Sequence, residues 1–570
     1  MWVTAVASLM PVLALVSPVL ADGGGQEIWW NISWIDNANP DGLHPRRVIG
    51  VNGKWPPPPV SFQNSELFVV HATNSLDQVT SLHHHGLFFN STTWMDGVFG
   101  ITQCGIPSGQ TFTYQIPADP TEWGSYWVHS HAYGQYVDGL RSPVTVHPPK
   151  EAYSYDGDFT VVLGDWYHTE QNTLLASYLS TSNPQGIEPI PDSGLIYFAQ
   201  HGSYLPPRPD THPTGPTSAV GFNENATLPF VPGKTYRLRI LNSGAFASFY
   251  FWIEGHNMTI IEADGTDVQE SPIDVLSVAV AQRYSVLVTA RNDTSYNWAI
   301  HANMMTSMFD VVPPKLNPNI TSSVTYNPSA PLAKLPPHKV DYHDVDDAAL
   351  IPLQVSPLPK ATKTVDLEVL FSLMTDGTNR AMFNNITFNF PLVPTVFSAL
   401  SLESNATVQR AYTPNSFVLN HFDVVDLIIK NGDTGGHPFH LHGHKFMIAG
   451  RAANYTSTDP TQNPPVVERQ ANPMRRDTIF IEAGASATLR FVADNPGVWF
   501  MHCHIEWHLE AGLVVEFIEA PLSIQQHNDV PQFMYNQCRT DGTPYSGNAA
   551  GHASTTDLSG LPLGPYPVSS

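Results

Sequence analysis

His502-Cys503-His504-Ile505-Glu506-Trp507-His508 is the stretch on which the reading of this 570-residue chain turns. In an extended strand, residues two apart point to the same face and the residue between them points to the other. His502 and His504 therefore aim two imidazoles to one side, and Cys503 aims its thiol to the opposite side. The pattern demands a strand, and the rest of the chain agrees. Charged residues make up 13 % of it, and 39 Gly with 50 Pro make it dense in turns, a composition that suits β-sandwiches better than helices. Short β-rich runs recur, among them Phe68-Val69-Val70, Phe159 to Leu163, Tyr236 to Leu241 and Tyr284 to Ala290, while sustained helical periodicity is scarce. The expected fold class is all-β.

Three other segments repeat the histidine spacing: His83-His84-His85-Gly86, His129-Ser130-His131 and His437-Pro438-Phe439-His440-Leu441-His442. Each His-x-His pair can direct two imidazoles at one metal cluster. The four pairs together supply His83, His85, His129, His131, His440, His442, His502 and His504. On the other face of its strand Cys503 can meet His437 and His508, and one thiolate with two imidazoles is the ligand set of a blue-copper electron-transfer centre. The backbone from Cys503 to His502 and His504 joins the two centres by a few bonds. A His-x-His pair alone is usually a surface or core feature, and an isolated His-Cys-His more often holds zinc. Four pairs with a cysteine so placed point to copper. His84 should face away from its neighbours, and His444 is expected to support the ligands without being one.

At this length several domains are expected. The punctuation divides the chain into a β-sandwich at 28–150, a second at 155–330, a Pro-rich linker at 331–364, a third sandwich at 365–525 and a C-terminal tail at 526–570. The formal charge of −24, with no dense Lys/Arg run, argues against nucleic acid and anionic membrane surfaces as partners. Residues 1–21 read as a secretory signal peptide, apolar from Val3 to Leu20 and ending in Val19-Leu20-Ala21; a membrane anchor is the alternative. Nine Asn-x-Ser/Thr sequons, at Asn31, Asn90, Asn225, Asn257, Asn292, Asn319, Asn385, Asn405 and Asn454, fit a glycosylating pathway. A secreted, extracellular glycoprotein without a membrane anchor is expected, with the cell wall as one possible location.

All four histidine segments resemble the copper-binding motifs of the multicopper oxidases, over nearly all of the chain after the signal. The runs Gly134 to Gly139, Met382 to Thr387 and Pro473-Met474-Arg475-Arg476-Asp477-Thr478 resemble most the fungal branch that contains laccases and iron-transport ferroxidases. The resemblance implies three cupredoxin domains and four copper ions, one type 1, one type 2 and two type 3, with dioxygen as oxidant. By matching motifs, His83 and His440 would hold the type 2 copper. His85, His129, His131, His442, His502 and His504 would hold the type 3 pair, and His437, Cys503 and His508 the type 1 ion. Leu513 stands where many blue-copper sites carry an axial Met, and its lack of a lone pair should make the site a stronger oxidant. Asp96 and Glu506 match acids that the family uses near the trinuclear centre, as proton relays or as orienters of ligand histidines. Cys104 and Cys538 are left to pair in an oxidising compartment, as the family's laccases tie their first domain to the tail. Such a bridge is worth on the order of 5 kcal/mol in the chain-entropy model; two free thiols are the alternative.

The reductant divides two readings. Glu188 and Asp433 match carboxylates that ferroxidases place near the type 1 site to bind Fe(II). A third acid, expected in the second domain, is missing where Asn303-Met304-Met305-Thr306 stands. A hard cation wants several oxygen ligands, whereas a phenol wants one acceptor and an apolar surface. The preferred expectation is therefore a laccase-like oxidase of phenols, serving pigment formation or the coupling of phenolic metabolites, with a ferroxidase as the alternative. A copper carrier without turnover is a third reading; it would need only His437, Cys503 and His508.

Overall fold

The computed structural model describes residues 26–207, 221–336, 340–526 and 530–562. The expected signal peptide lies outside the described residues. The chain forms six sheets, two in each of three successive cupredoxin-like β-sandwiches. In the first, one sheet runs Arg46–Val51, Gln26–Ala38, Phe68–Asn74, Thr111–Ile116, and the other Val60–Gln63, Arg141–His147, Gly124–His129, His83–His85. The second sandwich has sheets of seven and five strands, and the third has sheets of six and five.

Strand burial separates two kinds of strand. Val424–Asn431 alternates half-buried and buried residues, as a strand with one solvated face must. Gly124–His129 and Gly497–Cys503 are buried at every position, because one face packs on its own sandwich and the other on a neighbouring domain. These two strands carry the histidines. His83–His85 pairs antiparallel with Gly124–His129, putting His83 opposite His129. His437–Leu441 pairs in the same sense with Gly497–Cys503, putting His440 opposite His502. The first and third domains thus present equivalent two-strand platforms.

One detail departs from the strand argument. Only His83 and His85 lie together within a strand; His131, His442 and His504 each stand just past the end of theirs. The turns there do work that a strand cannot. Gly443 follows His442 with φ +67°, and a side chain at that position would run into the Trp499 ring, so the chain leaves the platform at once.

Helices are few and short. Glu506–Glu510 carries His508 back towards its own strand, and Gln532–Asp541 belongs to the C-terminal segment. Cys104 and Cys538 form a disulfide across a sequence separation of 434 residues, fastening that helix to the first domain. The tail beyond is packed against the body: Asn548 is fully buried, and its side-chain amide donates to the Ser554 and Asp557 carbonyls.

Candidate metal centres

The eight histidines of the four pairs converge between the first and third domains, none more than 8 % exposed. His83 stacks on His442 at a ring separation of 4.0 Å and His85 on His440 at 3.6 Å, so each stack joins the two domains. Nitrogens of His83, His85 and His129 come within 4.8 Å of one another, as do those of His83, His440 and His442, and those of His131, His442 and His502.

Four of the rings are oriented by a hydrogen bond from Nδ1 to a backbone carbonyl. His83 Nδ1 lies 2.7 Å from the Asp96 carbonyl, His129 Nδ1 2.9 Å from that of Ser130, His440 Nδ1 2.9 Å from that of Asp477 and His502 Nδ1 2.9 Å from that of Cys503. A carbonyl only accepts, so each of these nitrogens carries the proton and the other keeps its lone pair. The inward Nε2 atoms of His83, His129 and His440 find no protein partner. His85 is turned the other way: its Nε2 meets Asp477 Oδ1 and Thr478 Oγ1, each at 3.2 Å, and its Nδ1 is the orphan. His442 Nε2 faces His502 Nε2 at 3.2 Å. Burial first, then the neighbouring imidazoles, hold His129, His131 and His442 well below pH 6.5. Neutral, buried imidazoles with orphaned lone pairs aimed at a common space are what a cluster of soft-to-borderline cations requires. The donor set fits copper.

The second centre lies behind the Gly497–Cys503 strand. Cys503 Sγ is 3.6 Å from His437 Nδ1 and 3.5 Å from His508 Nδ1, and those two nitrogens are 3.0 Å apart. Burial pushes the Cys503 thiol well up, so a thiolate there needs a cation to hold it. Leu513 is fully buried beside it, its carbonyl accepting from the Cys503 backbone N–H and its own N–H donating to the His508 carbonyl. The outer nitrogens of both histidines meet carboxylates: His508 Nε2 to Glu188 Oε1 at 2.9 Å and His437 Nε2 to Asp433 Oδ2 at 3.1 Å. Although burial opposes it, the bond to His437 takes Asp433 down to about 2.

The acids chosen near the cluster occupy different settings. Asp96 is fully buried and touches two ligand candidates, His83 through its carbonyl and His442 Nδ1 through Oδ2 at 2.9 Å. Gly97 makes this possible, because at φ +90° its Cα lies against the Leu82 carbonyl, where no side chain fits. Glu506 begins the short helix; burial first and the charge of Glu510 second raise it well above the usual carboxylate range. His84 points into apolar surroundings near Phe89 and Tyr114, and burial drops it to about 3. His444 bonds the His442 carbonyl and Glu519.

Two functional residues escaped the sequence reading. Asp477, in the run Arg475-Arg476-Asp477-Thr478, orients His85 and His440 and is itself gripped by Arg283 of the second domain through contacts of 2.7 and 2.6 Å. Its neighbours in that run were the available signal. Asp310, four residues past Thr306, lies close enough to Glu188 and Asp433 for burial and then their charges to raise it. Asp310 is thus an acid of the second domain outside the stretch where one was expected. At the expected place Asn303 bonds the Tyr342 hydroxyl, and Met304 and Met305 are core residues, 4 % and 7 % exposed, not a surface for an aromatic ring.

Comparison with known proteins gives a consistent picture. Profiles described as multicopper oxidase match residues 34–151, 157–329 and 375–523. The chain is 47 % identical to the iron multicopper oxidase fer1 of Mycosarcoma maydis, covering 98 % of this chain and 91 % of that one. It is 42 % identical to the iron transport multicopper oxidase fio1 of Schizosaccharomyces pombe, covering 94 % and 83 %. Among solved structures it resembles Fet3p, described as a multicopper oxidase that functions in iron import, at a TM-score of 0.86 and 35 % identity over 96 % of this chain and all of that one. It also resembles the laccase from Botrytis aclada, at 0.75 and 28 % over 91 % and 92 %.

Proposed function

This chain belongs to the multicopper oxidases, of the fungal branch that holds laccases and ferroxidases, and from that premise we propose that it is a ferroxidase, oxidising Fe(II) to Fe(III) at the expense of dioxygen. The preference for phenols is corrected. Relatives matched over nearly the whole chain carry iron in their names. The ground for that preference also weakens, since the two methionines are core residues and Asp310 of the second domain feels the charges of Glu188 and Asp433.

As a multicopper oxidase the protein takes four copper ions, one type 1, one type 2 and two type 3; bound, they supply one-electron acceptance from the reductant and the four-electron reduction of dioxygen to water. In our assignment His437, Cys503 and His508 hold the type 1 ion, His83 and His440 the type 2 ion, and His85, His129, His131, His442, His502 and His504 the type 3 pair. Glu188, Asp433 and Asp310 offer hard oxygen ligands to iron and favour its higher charge. Glu188 and Asp433 also touch the outer nitrogens of His508 and His437, giving the electron a bonded route inward. We assign Glu506 to proton relay and Asp96 to orienting two of the cluster's histidines.

The observation that carries this reading is the pair of carboxylate contacts, 2.9 Å at His508 and 3.1 Å at His437. The test compares kcat/KM for Fe(II) with that for a panel of phenols. Wild type should favour Fe(II), and replacing Glu188, Asp433 and Asp310 together by Ala should lower kcat/KM for Fe(II) by about 100-fold or more, which is ~2.7 kcal/mol, with the blue absorption retained. A triple variant that still oxidises Fe(II) at the wild-type rate would overturn the proposal.

We read the protein as extracellular. The disulfide suits an oxidising compartment, and only Asn225 among the nine sequon asparagines is not fully on the surface. Among the described residues no helix is long and apolar enough to cross a membrane.

A further inference from the structure

A cavity of about 1010 Å³ opens where the three domains and their linker meet. That is the upper limit of ordinary small-molecule pockets, roughly 300–1,000 Å³, and it lies apart from the iron-binding acids. Asn90 stands on its wall. This asparagine begins the sequon Asn90-Ser91-Thr92 in a tight turn flanked by positive φ at Phe89 and Ser91, and its side chain is exposed.

The remaining wall suits a sugar better than an ion or an apolar ligand. Trp123 and Phe88 offer aromatic surfaces, and Trp123 is held by its Nε1–H, which donates to Asp267 Oδ2 at 2.7 Å. Lys445 and Arg475 supply donors; among the described residues neither has a carboxylate within 4.0 Å. Lys445 donates to the Gly265 carbonyl of the second domain and Arg475 to the Gln354 carbonyl of the linker. Asn90 Nδ2 donates to Asp119 Oδ2 at 2.7 Å. N-glycosylation replaces only one of the two amide hydrogens, so the other can keep this bond and fix the direction of the linkage.

We propose that Asn90 carries an N-linked glycan whose inner sugars lie in this cavity, stacked on Trp123 and bridging the first domain to the other two. The modification gives the cavity an occupant attached at its rim. The proposal rests on the reading that the chain passes through the secretory pathway, and the experiment separates the two.

Copper-loaded protein secreted from a host that makes high-mannose glycans is denatured and treated with an amidase in heavy-oxygen water, which marks every occupied asparagine by mass. Asn90 should be marked. Native protein is then digested with an endoglycosidase. Release from Asn90 should be at least tenfold slower than from the exposed sites Asn292 and Asn405, the difference vanishing on denaturation. Trp123→Ala should speed release from Asn90 alone. An unmarked Asn90 beside a marked Asn292 overturns the glycan proposal, and so does release from Asn90 as fast as from Asn292. Absence of marking at every sequon overturns the secretory reading and this proposal with it.

Discussion

Cys503 lies in a strand whose neighbours His502 and His504 face the other way, so changing its sulfur alters one centre and spares the other. Serine offers no soft, covalent ligand. Cys503→Ser should abolish the thiolate-to-copper absorption and turnover while leaving the copper bound by the eight-histidine cluster; retention of the blue band would refute the assignment. Leu513 works on the same site without binding it. Its side chain is fully buried beside Cys503 and has no lone pair, so Cu(II) gains nothing from it. Leu513→Met should lower the type 1 reduction potential, and a redox titration giving an unchanged or higher value would contradict this. The histidines themselves were legible from spacing alone, because a two-residue period is a local property of the chain. Asp477 and Asp310 were not, since most of their partners lie more than a hundred residues away along the chain.

At the level of elements, the all-buried strands Gly124–His129 and Gly497–Cys503 set the geometry, and a buried ionic joint holds the first against the second domain. Glu262 is fully buried. It accepts from the Ser125 N–H at 2.7 Å and from Arg237 at 2.6 Å, with Ser285 also bonded to it. Burial opposes its charge, but Arg237 and Arg239 outweigh that and bring it to about 2 from the ordinary 4.5. A carboxylate depressed in the fold stabilises it above its unfolded value and ceases to do so as pH falls through its folded one. The contribution, about 3 kcal/mol, is therefore complete above pH 4.5 and lost between 4.5 and 2. Glu262→Gln should lower Tm at pH 7, because it leaves two buried guanidiniums short of a partner, and its gap to wild type should narrow over that acid window. A gap independent of pH would show that Glu262 acts by shape alone. The strand runs were readable from composition and alternation. That three of the four histidine pairs straddle a strand end was not, because the turns after His131, His442 and His504 answer to neighbours such as Trp499.

Across the whole molecule, the disulfide between Cys104 and Cys538 closes a loop of 434 residues out of 570. Replacing both by Ser should cost about 2–5 kcal/mol, seen as a lower Tm with the blue absorption intact; an unchanged Tm would mean that the packed tail holds itself. The eight-histidine centre depends on this scale too. Each half-site comes from a separate platform, and only docking of the first and third domains makes one cluster of eight imidazoles, with Arg283 of the second domain steadying Asp477 between them. By itself the sequence determined the all-β class and singled out the candidate ligands in two groups, because these rest on side-chain chemistry and on strand periodicity, both of which act over a few residues. The reductant we propose rests only on tertiary structure and kinship. Asp310 joins Glu188 and Asp433 through folding, and Met304 and Met305 turn inward for the same reason: which side chains share a surface is a property of how distant strands pack, and no local spacing encodes it.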